Sequence, residues 1–335
     1  MRVVITGATG NVGTSVVEAL AGDRSVDSVL GIARRIPRWR PEGVEWAGAD
    51  IRDADLEQHF AGADAVIHLA WLIQPSRDEA ELESVNVKGS ERVFAAAAAA
   101  GVGALIHASS VGVYSPGPDE PVDESWPTDG VPSSFYSRHK SAAERLLDRL
   151  ESESPEMRVV RLRPALIFKR SAGSEIARYF AGPLLPRRVL RPGLVPLTPA
   201  IPGLRFQAVH ADDVAEAYRL AATGDARGAF NVAAPPILDN AALASVLGAR
   251  PVRLPAGLVR AGAALTWKAR LQPTPPGWVD LALATPLMDT TRIRSELGWH
   301  PRVTADEALS ELLAGIREGA GMPTVPLRPG RGGIR

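Results

Sequence analysis

The chain contains no cysteine. Disulfides, thiolate nucleophiles and cysteine-ligated metals are therefore excluded. It also lacks an excess of charge of either sign: 38 Lys and Arg stand against 38 Asp and Glu. That balance gives no overall electrostatic footprint for nucleic acid or an anionic membrane, and neither is expected as a partner. No long unbroken apolar run occurs. Val3-Val4-Ile5 is too short for a signal-peptide core and leads straight into a glycine turn. Residues 93–111 are the most apolar stretch, but Gly101, Gly103, His107 and two serines interrupt it. A helix, a turn and a buried strand are expected there rather than a membrane span. These absences together fit a cytoplasmic protein.

What is present is length and apolar content: 335 residues, 45% hydrophobic. That exceeds what one ordinary core needs, so two lobes are expected. In the first half, β-rich runs at 2–6, 28–33, 65–69, 104–108 and 158–163 alternate with helical stretches near 12–21, 56–60, 82–100 and 137–152. Several runs are nearly continuous Val, Ile, Leu and Ala, the pattern of parallel strands covered on both faces. The alternation predicts an α/β fold with a doubly wound parallel, Rossmann-like sheet. After Phe168 the texture changes. Residues 182–204 are rich in Pro and Gly and are expected to be loop. A strand at 206–210, a helix at 212–222 and a strand at 229–233 follow, then helices at 240–247, 258–269 and 305–318. On this pattern residues 1–168 and 206–235 form a dinucleotide-binding domain. Residues 169–205 and 236–321 form a smaller, discontinuous substrate lobe. The Pro-, Gly- and Arg-containing tail, 322–335, is expected to be disordered.

Residues 6–13 read Thr-Gly-Ala-Thr-Gly-Asn-Val-Gly, directly between the first strand and an amphipathic helix. Gly7 permits the tight turn, Gly10 lets backbone approach a phosphate, and Gly13 lets helix pack on strand. With Thr9 beside them, free amides at Asn11 and Val12 at the positive helix end suit a pyrophosphate. The second strand ends Gly31-Ile32-Ala33-Arg34-Arg35. The acid that would hold an NAD ribose is missing, and Arg34 and Arg35 suit a 2′-phosphate, so NADP is favoured over NAD. Asp50 and Ile51 follow a short strand, placed either to flank the adenine or, for Asp50, to cap the next helix.

Tyr136 and Lys140 are four apart and share one helical face. An ammonium beside a phenol favours the phenolate and brings it toward useful acid–base chemistry. The preceding strand ends Ser109-Ser110-Val111-Gly112-Val113-Tyr114. Either serine is placed to polarise a substrate oxygen, or simply to bond the turn backbone. His68 and His107 sit on buried strands as packed, hydrogen-bonded residues. Asp212-Asp213 read as a helix cap, and no metal site is expected. Trp71, just past a strand end, is a candidate for the substrate cleft, with Trp267 and Trp278 as weaker ones.

This set resembles the short-chain dehydrogenase/reductase superfamily in its extended form, the NAD-dependent epimerase/dehydratase family. The resemblance spans about residues 1 to 320. It rests on Thr6–Gly13, His68-Leu69-Ala70, Asn86-Val87-Lys88-Gly89, Ser109–Tyr114, Tyr136 with Lys140, Arg163-Pro164, Val209–Asp213 and residues 289–299. It implies Tyr136 as general acid/base, with Lys140 binding the nicotinamide ribose. Ser110, four residues before Tyr114, becomes the better match for the hydroxyl position. Leu69 and Ala70 would line the cofactor path, and Pro164 would lie near the nicotinamide. Asn86 would brace the fourth strand. Nucleotide-sugar members often carry Asn where this chain has Leu166, and Arg-Asp-Tyr/Phe before the Val-His segment, where this chain has Phe206-Gln207-Ala208 with Arg205 one place off. The apolar residues there argue against a sugar nucleotide. Trp71, Val111, Leu166 and Phe206 are the expected substrate-side residues. The implied activity is hydride transfer at a carbonyl or secondary alcohol of a small molecule. The alternatives are a nucleotide-sugar epimerase or dehydratase, and a nonenzymatic NADP-sensing regulator. Helices equivalent to 82–100 and 137–152 form dimer interfaces in similar proteins, so a homodimer is expected.

Overall fold

The computed structural model describes residues 1–181 and 196–330. In the first half, β1 (Arg2–Thr6), α1 (Asn11–Ala21), β2 (Ser28–Ala33), β3 (Val44–Gly48), α2 (Leu56–Phe60) and β4 (Ala65–His68) follow in order. Next come α3 (Glu79–Glu83), a π-helical turn at Ser84–Gly89, α4 (Ser90–Ala99), β5 (Ala104–Ala108), α5 (Phe135–Glu153) and β6 (Arg158–Pro164). The second half contains β7 (Leu166–Phe168), α6 (Gly173–Ile176), β8 (Leu197–Ala200), β9 (Arg205–His210), α7 (Ala211–Thr223), β10 (Gly228–Val232) and β11 (Ala234–Asp239). It closes with α8 (Asn240–Leu247), β12 (Arg250–Arg253), α9 (Ala256–Lys268), α10 (Gly277–Ala284), α11 (Thr291–Leu297) and α12 (Ala305–Glu318).

Seven parallel strands form the main sheet in the order β10-β6-β5-β4-β1-β2-β3. Alternate side chains of one strand feed opposite faces, as the period of two requires. Val3 and Ile5 pack with Val16, Val17 and Leu20 of α1 and with α7. Val4 packs with Leu56, Phe60, Phe94 and Leu147 of the other helical layer. Strand order reverses between β1 and β4, which opens the crevice where ligands of such sheets bind.

β9 does not join that sheet. It pairs with β7 and β11 in a three-stranded sheet beneath α12, while β8 and β12 form a separate pair. Four strands escaped the sequence pattern. β7 has only three residues, and β8, β11 and β12 all carry prolines, which interrupt the alternation that marks a strand. The expected loop at 182–195 lies outside the described residues, and 197–200 is strand. The tail also departs from expectation. Leu327 is fully buried, and Thr324 Oγ1 donates to the carbonyl of Thr9 at 2.9 Å. Arg178 donates to the Pro326 and Arg328 carbonyls, and the Gly330 amide to Ser174 Oγ, so 322–330 is docked despite its polar composition; 331–335 lie outside the described residues. No helix among the described residues is long and apolar enough to cross a membrane.

Candidate active site

A crevice of about 630 Å³ runs from the glycine turn across the ends of β1, β4, β5 and β6. Its floor begins at the turn itself. Gly7 takes a positive φ of 73°, and a Cβ there would sit 2.6 Å from the Ala70 amide nitrogen. A Cβ on Gly13 would come within 2.3 Å of the Gly7 carbonyl oxygen, so helix and strand pack at a distance only glycine allows. Gly10, the N-cap of α1, offers no side-chain cap, and the first turn has no acidic residue. The leading amides are therefore left to an anionic ligand, and Asn11 Oδ1 is buried without a partner. These features fit a dinucleotide pyrophosphate.

Of the residues expected at the cofactor, Gly7, Thr9, Gly10, Asn11, Val12, Gly13, Arg34, Asp50, Ile51, Leu69, Ala70, Lys140 and Pro164 all line the crevice. Arg35 does not: it is exposed outside it. Consecutive residues at a strand end point opposite ways, so only one of the two arginines can face the ligand. Asp50 is held by Arg52 at 2.8 Å, and that bond keeps its carboxyl below the usual range.

The catalytic candidates come from β5 and α5. Ser134 caps α5, and the Ser137 hydroxyl donates to the Gly112 carbonyl while accepting from the Val131 amide. That ties the first turn of α5 to the turn after β5 and sets Tyr136 against Gly112, where a Cβ would lie 3.0 Å from the ring. Ser109 is committed elsewhere, its hydroxyl donating to the buried Glu144. Ser110 accepts from the Gly112 amide at 3.0 Å and also hydrogen-bonds the Tyr136 side chain. Ser110 is thus both the turn-bonded serine and the one at the phenol.

Lys140 lies in the crevice but not on the phenol. Its Nζ donates to the Ala108 carbonyl at 2.6 Å and sits 3.3 Å from the Trp71 ring centroid, against 5.8 Å from that of Tyr136. Burial pushes the Tyr136 phenol up to about 12, opposed by the Ser110 bond. Burial also drives Lys140 well below its ordinary value, with Glu144 opposing. The expected lowering of the phenol is therefore absent in this structure; desolvation outweighs the Ser110 bond, the one influence that lowers it.

Trp71, Val111, Leu166 and Phe206, expected on the substrate side, all line the crevice. Trp278, a weaker candidate from sequence, also lines the crevice, as do Ile176 and Leu281, which no motif singles out. Trp278 lies 5.3 Å from Tyr136, centroid to centroid. They arrive from α6 and α10, far along the chain, and no local pattern marks them. Trp267 is not on the crevice.

Behind the site, Arg163 binds Glu144 (Nε to Oε1, 2.9 Å) and the Tyr114 hydroxyl (3.0 Å), which donates to Asn231. Asn86 clasps the Leu72 amide and carbonyl at 2.7 and 2.9 Å, bracing the chain just past β4. His68 is hydrogen-bonded to Thr6 and Ser90. His107 stacks on His68, yet neither ring nitrogen has a hydrogen-bond partner, contrary to expectation. Asp212 and Asp213 do not cap α7 either. His210 does so, while Asp212 accepts from Ser15 and Asp213 from the Val303 amide. Among the described residues no group of His, Asp or Glu could hold a metal ion.

Fold and crevice together define the class, a Rossmann-type protein with a cradle for a dinucleotide. Comparison with known proteins narrows it. The model of the NAD dependent epimerase/dehydratase family matches residues 3–233, and the chain belongs to that family. An uncharacterised protein of Mycobacterium tuberculosis is 28% identical over 330 residues, 96% of this chain, but the chain spans only 31% of that relative's length. A Stigmatella aurantiaca ketoreductase named for a farnesyl-bearing dihydroquinoline oxide is 30% identical over 171 residues, half of each chain (50% and 51%). The Thermus thermophilus UDP-glucose 4-epimerase, solved with NAD, superposes with a TM-score of 0.70 at 24% identity, covering 96% of this chain and 100% of its own. That last likeness establishes the shared fold.

Proposed function

We propose that the chain is an NAD(P)-dependent oxidoreductase that interconverts a carbonyl and a secondary alcohol on an apolar small molecule. One observation carries this reading: the crevice joins a pyrophosphate cradle to Ser110, Tyr136 and Lys140, and beyond them its wall is mostly apolar, built on Leu166, Ile176, Phe206, Trp278 and Leu281, with Gln74, Glu175, Tyr179, Arg205 and Gln207 among its polar members. Such a wall suits an apolar substrate better than the many hydroxyls and the diphosphate of a sugar nucleotide. The ketoreductase relative, by its name, acts on a farnesyl-bearing ketone, which is the same substrate texture.

The bound nicotinamide would supply or take the hydride. Ser110 would hydrogen-bond the substrate oxygen and polarise it. Tyr136, kept protonated through neutral pH by its burial, would give its proton to that oxygen in reduction and recover it in oxidation. Lys140 would bind the nicotinamide ribose and place positive charge near the developing phenolate. Arg34, lining the crevice where Ala33 stands in place of an acid, supports NADP over NAD.

The test follows nicotinamide absorbance with NADPH and a panel of prenyl- and aryl-substituted ketones, beside UDP- and dTDP-sugars. Stoichiometric loss of NADPH with an apolar ketone is expected. Conversion of a sugar nucleotide without net change in absorbance would make the chain an epimerase or dehydratase instead. Tight NADPH binding with no turnover of either panel would leave the regulator.

A further inference from the structure

We propose that α9 and the strand edge before it dock on an anionic lipid bilayer. The helix has no buried residue along its whole length. Leu258 is 64% exposed, Leu265 69% and Leu271 53%, with Leu254 at 38% just ahead of them. Positions 258, 261 and 265 recur at the three–four spacing of one helical stripe, so Leu258, Ala261 and Leu265 present a continuous apolar edge to solvent, with exposed Leu254 just ahead of the helix. Val252 on β12 and Leu197 on its neighbour β8 extend the exposed apolar surface.

The charge carried by this segment has one sign. Between Asp239 and Asp280 the sequence has no acidic residue but holds Arg250, Arg253, Arg260, Lys268 and Arg270. Chain-wide neutrality therefore conceals a local segregation. Arg260 is tied to Asp280 of α10 at 2.6 Å. The other four have no ion-pair partner among the described residues. Arg77 adds a further cation, stacked 4.1 Å from the Trp267 ring.

A leucine edge rimmed by Arg and Lys is the pattern of a helix lying in the headgroup plane, apolar side down and cations against anionic lipid. A nucleic acid would need the cations at the centre rather than the rim. A second copy packed about a two-fold axis would bring the same cations against one another. Apart from the cations, the stripe offers no directional hydrogen-bonding side chain, which suits a fluid apolar phase better than a shaped protein partner. The Arg260–Asp280 pair joins α9 to α10, whose Trp278 and Leu281 line the crevice, so the docked face adjoins the crevice wall.

The experiment is flotation of the full chain with phosphatidylcholine vesicles, with and without phosphatidylglycerol. Binding is expected only with phosphatidylglycerol, and it should fall as salt rises. Lys268→Ala and Arg270→Ala should each weaken partitioning about fivefold. Leu258→Asn with Leu265→Asn should abolish it while leaving melting temperature and NADPH titration unchanged, because neither leucine is buried. No flotation, equal flotation on neutral vesicles, or flotation indifferent to the leucine pair would each overturn the proposal. Self-association that vanishes in the leucine pair, without vesicle binding by the parent, would reassign the face to a contact between copies. Equal retention on a polyglutamate matrix would reassign it to an acidic protein.

Discussion

Lys140 rests on the indole of Trp71, and that contact works against the burial that drives the ammonium well below its ordinary value. A cation over a half-buried Trp face is worth about 1–2 kcal/mol in favour of the ammonium. Trp71→Leu should therefore move the Lys140-dependent limb of the pH–rate profile to lower pH by about one unit. Trp71→Phe should restore part of that shift, which a purely structural role would not produce. At the adenine end, Arg34→Ala should weaken NADPH binding roughly 10- to 100-fold with little effect on NADH, whereas Arg35→Ala should change neither. Comparable losses for both cofactors in Arg34→Ala would remove the case for a 2′-phosphate. Most of the residue-level site was legible because its chemistry is local: a glycine spacing, a Tyr and Lys one helical turn apart, a serine at a strand end. The position of Lys140 was not legible, because it depends on a tryptophan sixty-odd residues earlier in the chain.

Glu144 of α5 and Arg163 of β6 are both nearly fully buried and join the catalytic helix to the sheet. Burial alone would raise the Glu144 carboxyl, but the Arg163 bonds outweigh it and the group lies below its ordinary value. A depressed folded-state pKa stabilises fully above the unfolded value and is lost as pH falls through the folded one. The acid limb of the stability curve should thus reflect Glu144. Glu144→Gln should flatten that limb and lower stability at neutral pH by about 3–5 kcal/mol, since Arg163 is left buried without its counter-charge. A variant as stable as the parent by chemical denaturation would contradict this. At this scale the sequence located the main strands and the long helices within a residue or two. It missed the short β7, α10 and α11, the strands β8, β11 and β12, whose prolines break the alternation, and the π-helical turn at Ser84–Gly89 inside an apparently continuous helix. There the Asn86 clasp on Leu72, and the close approach of Gly89 to Ile51, are tertiary contacts that no local pattern carries.

Across the whole molecule, the last described segment returns to the first turn. Thr324 bonds the Thr9 carbonyl, Pro326 lines the crevice and Leu327 is fully buried. Composition pointed to disorder, but residue 324 and residue 9 meet only once the fold brings them together. Leu327→Ala should cost about 2–5 kcal/mol of stability and weaken cofactor binding, measured by thermal melts and NADPH titration. Unchanged values would mean the tail merely rests on the surface. The fold places a dinucleotide cradle and the Tyr136 phenol in a single crevice. Tyr136→Phe examines that arrangement directly. NADPH should bind the variant as tightly as the parent, while single-turnover reduction of a ketone substrate slows by roughly 10²- to 10⁴-fold. Turnover at the parent rate in Tyr136→Phe would contradict the account.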